Sequence, residues 1–214
     1  SDQKGDIYYY IGKKKLDEKE SNALAIRELA IQAGLLGKWE ETIELWQNFM
    51  SLHKVTPRDP EAFINLGTAY WHLGKYEEAL NTAQKAMEIA PDMKEAHYNY
   101  AICQLPLGKV KEAISVLEKL NQRLPDYLSA QFMLSAAYCC DDRKEEGLEL
   151  LEKLRQTKLG PGLVHAFNEL AQNLISVKRL DYALSLLDAA VQSNNYNKEL
   201  FGLFSECVRV KAQI

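Results

Sequence analysis

Histidine and cysteine are the side chains in this 214-residue sequence that could hold a metal ion or act as nucleophiles. The four histidines are spread along the chain at His53, His72, His97 and His165. Helical metal sites use ligands four residues apart, and zinc sites use cysteines separated by two residues. Neither spacing occurs, and the adjacent Cys139 and Cys140 would point about 100° apart on a helix. We therefore predict that the chain has no metal site.

Patterns for catalysis and for phosphate binding are also missing from the sequence. No ordered set of serine, histidine and aspartate stands out, and no pair of carboxylates differs from ordinary helix surface charge. The glycines recur at a fixed spacing instead of clustering in a phosphate-binding loop. We therefore predict no catalytic residue and no cofactor, and we expect that the chain is not an enzyme.

Composition and charge restrict the kind of partner and the compartment. The net charge of -4 and the isoelectric point of about 5.7 provide no positive field for phosphate, so we predict no nucleic-acid partner. No run reaches about 18 apolar residues, so no membrane insertion is expected. The four cysteines lie in apolar, helix-patterned segments, which is typical of free thiols in a reducing compartment. These features predict a cytoplasmic protein.

The segment from Pro60 to Pro91 shows how the chain is organised, because its pattern recurs about every 34 residues. A proline can begin a helix, since a first-turn residue needs no helical N–H bond. Phe63, Leu66 and Tyr70 follow at offsets of three and four and so share one stripe. A glycine then breaks the pattern, and a second stripe of small residues runs to the closing proline. Each recurrence therefore predicts an antiparallel pair of helices.

This pattern resembles the tetratricopeptide repeat, whose large, small and proline positions are spread over about 34 residues. The matching residues in the segment above are Phe63, Leu66, Gly67, Tyr70, Ala79, Ala86 and Pro91. The resemblance implies an all-α fold, an α-solenoid that forms a right-handed superhelix of antiparallel helix-turn-helix hairpins. We expect five repeat units, at residues 23–56, 60–93, 94–127, 128–161 and 164–197.

Two units depart from the repeat, and both ends of the chain lie outside it. Pro106 should end the first helix of its unit early, and Gly147 should make its unit the softest. Residues 1–22 are predicted to be a lead-in or the remnant of a preceding repeat, either irregular or helical with Tyr8 and Ile11 on one face. Residues 198–214 are predicted to form a helix that caps the array or begins a further repeat. Its apolar outer positions, such as Leu203, predict self-association through this helix.

In proteins similar to this one the first helix of each hairpin lines a concave groove, so the resemblance implies a peptide-binding groove here. The predicted groove residues are Arg27, Ile64, Asn65, Thr68, Trp71, His72, Tyr98, Asn99, Ile102, Phe132, Met133 and Asn168. Leu24, Glu28, Ile31, Leu35, Glu61 and Glu95 occupy the same register positions. We expect the large apolar members to form an exposed patch, unless they pack against a neighbouring helix. We expect Asn65 and Asn99 to bond a peptide backbone.

The resemblance implies an interaction scaffold that binds a protein or peptide segment in this groove. The alternative is an accessory domain of a larger enzyme, such as a glycosyltransferase or a methyltransferase. The missing initiator methionine and the apolar last helix favour this alternative, because they suggest a fragment. Some relatives clamp acidic chaperone tails with basic and asparagine residues. Arg27 and Asn65 match that clamp but Ile31 and Glu95 do not, so we predict weak binding of acidic tails.

Overall fold

The computed structural model describes residues 9, 12–13, 23–52, 59–141, 143–156, 163–193 and 198–213. These residues form helices joined by turns, and none of them lies in a β-strand. The helices from residue 23 onward are α1 (Ala23–Leu35), α2 (Trp39–Leu52), α3 (Pro60–His72), α4 (Tyr76–Ile89), α5 (Lys94–Gln104), α6 (Val110–Arg123), α7 (Leu128–Cys139), α8 (Lys144–Arg155), α9 (Leu163–Ser176), α10 (Leu180–Ser193) and α11 (Lys198–Lys211). The predicted all-α helical repeat fold is thereby confirmed.

The same turn joins the two helices of four hairpins. In each, the residue that ends the turn has a positive φ: Gly37, Gly74, Gly108 and Lys178. The following N–H bonds back across the helix end, as when Lys75 N–H donates to Tyr70 O at 2.9 Å. Glycine suits this left-handed conformation because it has no Cβ. Lys178, with φ 59°, shows that the turn forms even where the sequence lacks that glycine.

The described residues divide into two compact units, one up to Tyr100 and one from Ala101, so α5 contributes to both. In the first unit, helices α1, α2 and α3 share one core. Its large members, Trp46 and Phe49, are buried against Ile26, and small residues such as Ala62 complete the cluster. Trp46 and Phe49 meet edge to face with their ring centroids 5.6 Å apart. Small residues at the crossings let the helix backbones approach closely.

The described part of the lead-in packs on the first hairpin. Residues 9, 12 and 13 are helical, and Tyr9 is 1% exposed in a cluster with Leu29 and Ala33. Lys38 Nζ lies 3.7 Å from the centroid of the Tyr9 ring, and Lys13 donates to Glu41 at 2.8 Å. Tyr8 and Ile11, which the sequence predicted on one helix face, lie outside the described residues.

In the second unit, helix α7 is the buried centre. Every residue from Phe132 to Cys140 is buried, because α7 contacts α6, α8 and α10. Gly147 on α8 is needed for this packing, since a Cβ there would lie 2.6 Å from Cys139 Sγ. As predicted, α5 ends early, at Gln104, two residues before Pro106.

Helix α11 packs on α10 and also contacts α9. Cys207 is fully buried, whereas Phe201 and Val208 are 49% and 45% exposed. Self-association through this helix remains a prediction, as do the five unit boundaries.

Among the helices that the structure describes, none is long and apolar enough to cross a membrane.

Gly67 provides a direct test of helix spacing in the second hairpin. A Cβ at Gly67 would lie 2.8 Å from Thr82 Oγ1, which is fixed by a 2.8 Å bond to Ala79 O. Helix propensity alone would favour Gly67→Ala by about 0.5–1 kcal/mol, but the overlap should reverse the sign and cost about 1–3 kcal/mol. Urea unfolding of Gly67→Ala, Thr82→Ala and the double variant should show that Thr82→Ala removes most of this cost. Equal costs of Gly67→Ala in both backgrounds would contradict the assigned packing.

Candidate partner-binding face

In the first unit, the first helices of successive hairpins lie side by side at the predicted groove positions. Arg27 on α1 forms an ion pair with Glu61 on α3, and Asn99 on α5 bonds to α3. We call the outward residues of this layer the first-helix face. It comprises Leu24, Arg27, Glu28, Ile31, Leu35, Glu61, Ile64, Asn65, Thr68, His72, Glu95, Tyr98 and Asn99. Each of these residues is half-buried or exposed.

Arg27 is already engaged within the protein. Its guanidinium donates a hydrogen bond to the Glu61 carboxylate, and its Nε lies 4.0 Å from Asp59 Oδ2. The Arg27 side chain is only 30% exposed. A ligand carboxylate would therefore have to displace two protein carboxylates from Arg27.

Asn65 and Asn99 share one register position but have different surroundings. Asn99 Nδ2 donates to Ile64 O at 3.4 Å and to Thr68 Oγ1 at 3.3 Å, so its amide holds α5 to α3. Asn65 is half-buried, and its side chain makes no hydrogen bond with any residue that the structure describes. The difference follows from the neighbouring helix, where Ile31 occupies the position that corresponds to Thr68. Asn65 thus keeps its amide available to a ligand.

Trp71 does not line the face, which corrects the sequence-based expectation. It is only 9% exposed and contacts the rings of His72 and Tyr76 edge to face, at 5.2 and 6.5 Å. The ring lies in the last turn of α3, where the chain folds back into α4, and so becomes enclosed by the hairpin. His72 is exposed and stacks on Trp39 with ring centroids 4.0 Å apart.

Phe132 and Met133 are also buried, at 5% and 4% exposure, so the expected apolar patch on α7 is not exposed. The cause is the crowding of α7 by its neighbours. Phe132 meets Phe167 of α9 edge to face with centroids 5.1 Å apart. The other predicted residues of the second unit, Ile102 and Asn168, are half-buried.

Arg179 joins two hairpins that are not neighbours in sequence. From the turn before α10 it donates to Pro106 O at 3.3 Å and to Leu107 O at 3.0 Å, in the turn between α5 and α6. Gly108 makes room for the guanidinium, since a Cβ there would lie 2.7 Å from it. Arg179 was not identified from the sequence, because a contact across 72 residues leaves no signal in a 34-residue repeat.

The four cysteines are free and buried, as the sequence predicted. Burial raises the pKa of the Cys139 thiol to about 11 and raises the pKa of Cys140 as well. The Cys140 thiol points to Tyr182 O on α10, with an Sγ–O distance of 3.7 Å. Within the described ranges, no three histidine, cysteine or acidic residues are grouped as metal ligands would be.

Loss of the Arg179 contact should loosen the packing of α10 on α7. We expect Arg179→Ala to raise the rate at which a thiol reagent labels Cys140 by about fivefold, because local opening becomes easier by about 1 kcal/mol. Lys111→Ala, which removes an exposed cation from α6, is the matched control and should leave the rate unchanged. Labelling followed by mass spectrometry distinguishes Cys140 from the other thiols. Equal rates in both variants would show that Arg179 does not restrain α10.

Comparison with known proteins adds to this geometry. Two family models described as tetratricopeptide repeat match the sequence, one over residues 21–92 and the other over residues 70–138. Together they extend over more than half of the chain. No curated protein sequence matches the chain significantly.

Solved structures are similar to the chain in fold. MamA is 21% identical over 70% of this chain and 86% of its own, with a TM-score of 0.61. YrrB, described as a TPR protein with an unusual peptide-binding site, is 17% identical over 89% and 96%, with a TM-score of 0.57. A mutant O-GlcNAc transferase from Thermobaculum terrenum is 20% identical over 63% of this chain and 26% of its own, with a TM-score of 0.57. At these identities the likeness concerns the fold alone. The helical hairpins and the family matches together show that the chain belongs to the tetratricopeptide repeat family.

Proposed function

We propose that the protein is a non-catalytic interaction module whose first-helix face binds an extended segment of a protein partner. The observation that carries this proposal is the exposure of large apolar side chains on that face. Leu24 and Leu35 of α1 are 67% and 76% exposed. They lie eleven residues apart, about three helical turns, and so share one stripe with Glu28 and Ile31. Apolar side chains aligned in this way can receive the side chains of a bound segment.

The backbone of the segment would be fixed by Asn65. Its amide can donate and accept, as a peptide N–H and C=O require. Ile64 and Thr68 flank it on α3 and are half-buried, so they offer contact area beside the amide. The peptide-binding site named for YrrB supports a peptide partner for a chain of this fold. The buried free thiols support a reducing, cytoplasmic location.

The second candidate function is that of an accessory domain in a larger enzyme. The observation that favours it is the fold shared with part of the O-GlcNAc transferase chain. In that case the first-helix face would position a protein substrate for a catalytic domain elsewhere. The sequence of the full gene product distinguishes the two candidates, because the second requires a catalytic domain.

Aspartate in place of an exposed leucine tests the binding face. Leu35→Asp should remove the partner from a pull-down with the full chain, because a charge at the contact must be desolvated. Leu52→Asp is the matched control, since Leu52 on α2 is 51% exposed but lies on a second helix. Quantitative mass spectrometry of the captured proteins, with circular dichroism to verify folding, provides the measurement. If every captured protein depends equally on both leucines, the first-helix face is not the binding site.

The two asparagines should respond differently to alanine. Asn65→Ala should weaken binding of the captured partner about threefold to tenfold, the effect of one hydrogen bond, and leave unfolding unchanged. Asn99→Ala should instead lower the free energy of unfolding by about 1 kcal/mol, because it removes the bonds from α5 to Ile64 O and Thr68 Oγ1. Titration calorimetry and urea unfolding of both variants test the pair. The assignment fails if Asn65→Ala destabilises the fold and leaves the affinity unchanged.

A further inference from the structure

We propose that the first-helix face selects a cationic partner segment, one that carries lysine or arginine between apolar residues. This inference rests on the proposed function and adds to it the chemical class of the partner. It follows from the charges on the face, from the pairing of Arg27, and from the order of residues along α1.

Acidic side chains outnumber basic ones among the described residues of the face and of its edge, which consists of Asp59 and Lys94 at the N-terminal ends of α3 and α5. The anionic residues are Glu28, Asp59, Glu61 and Glu95, and the cationic residues are Arg27 and Lys94. Glu28 is exposed, and the side chains of Glu61 and Glu95 are 56% and 42% exposed. The face therefore presents a net negative charge to a ligand.

The cations of the face and its edge are close to protein carboxylates. Arg27 pairs with Glu61 and lies near Asp59, and Lys94 Nζ lies 3.8 Å from Glu95 Oε1 on the next residue. An anionic ligand would have to compete with these carboxylates for either cation. A cationic ligand could interact with the exposed carboxylates without displacing Arg27 or Lys94 from them.

Glu28 is the carboxylate of the face that forms no ion pair with any residue the structure describes. It accepts a hydrogen bond from Gln32 Nε2 at 3.4 Å, and that partner is neutral. Glu28 lies one turn from Leu24 and two turns from Leu35 on the same stripe of α1. Along this stripe an apolar side chain, Leu24, is followed by the acidic Glu28 and then by two apolar side chains, Ile31 and Leu35. A segment with a basic residue between apolar residues complements this order in both charge and hydrophobicity.

The test begins with a random dodecapeptide library displayed on phage and selected on the full chain. We expect the enriched peptides to carry net positive charge and several apolar residues. The strongest peptide is then synthesised, and its affinity is measured by fluorescence anisotropy as the salt concentration rises. Binding should weaken as salt rises, because exposed charges farther apart than about 10 Å are screened at 0.1 M.

Charge reversal at matched sites completes the experiment. Glu28→Lys with Glu95→Lys should weaken the peptide about tenfold or more, since two attractions become repulsions. Glu77→Lys with Glu88→Lys on the second helix α4 changes the net charge by the same amount and should have little effect. Glu95 and Glu77 both lie in the first turn of their helices, so the lost interaction with the helix dipole is matched for these two members of the pairs. Urea unfolding of both double variants verifies that each remains folded.

The outcomes separate this inference from the function on which it rests. Leu35→Asn removes the apolar side chain without adding a charge. Enrichment of acidic or neutral peptides whose binding Leu35→Asn abolishes would overturn the cationic preference but not the binding face. Enrichment of no peptide, or of peptides insensitive to Leu35→Asn, would overturn both. Equal weakening by the two charge-reversal pairs would show a general charge effect and would also overturn the cationic preference.

Discussion

Close approach between paired helices is the constraint on which the rest of this structure depends. One hairpin cannot bury both of its faces, so every helix must lie against its partner and against the next hairpin. Gly67 and Gly147 lie where a Cβ would overlap Thr82 Oγ1 or Cys139 Sγ. Each of these contacts fixes how closely the first and second helix of one hairpin approach each other. This approach determines which side chains contact one another across the helices.

The period of the sequence was sufficient to predict the helix pairs and the family, because it follows the residues that this close approach requires. Pro106 predicted the early end of α5, since the residue before a proline avoids the helical conformation. The expectation that Gly147 only softens its unit missed the contact with Cys139, which makes a glycine necessary there. Composition alone cannot distinguish a glycine that weakens a helix from one that a neighbouring helix requires.

Register shows which side of a helix a residue occupies, but not what covers that side. Phe132 occupies a predicted groove position and is buried because α9 supplies Phe167 against it. Asn65 and Asn99 share a position, and only Asn99 meets a hydroxyl on the preceding helix, that of Thr68. Such differences depend on pairs of residues about one repeat apart, and the Arg179 contact depends on a pair two repeats apart. A pattern that describes each repeat by itself cannot contain them.

Binding specificity in such an array must come from residues that the repeat pattern leaves undetermined. At about 20% identity, the likeness to solved neighbours concerns the fold alone, so a ligand preference cannot be carried over with it. On α1 the undetermined residues combine exposed Leu24 and Leu35 with Glu28 between them. Apolar contacts are insensitive to screening, whereas the attraction of Glu28 for a cation weakens with salt. The leucines would therefore set the affinity for a segment, and the carboxylates would set which segments are accepted.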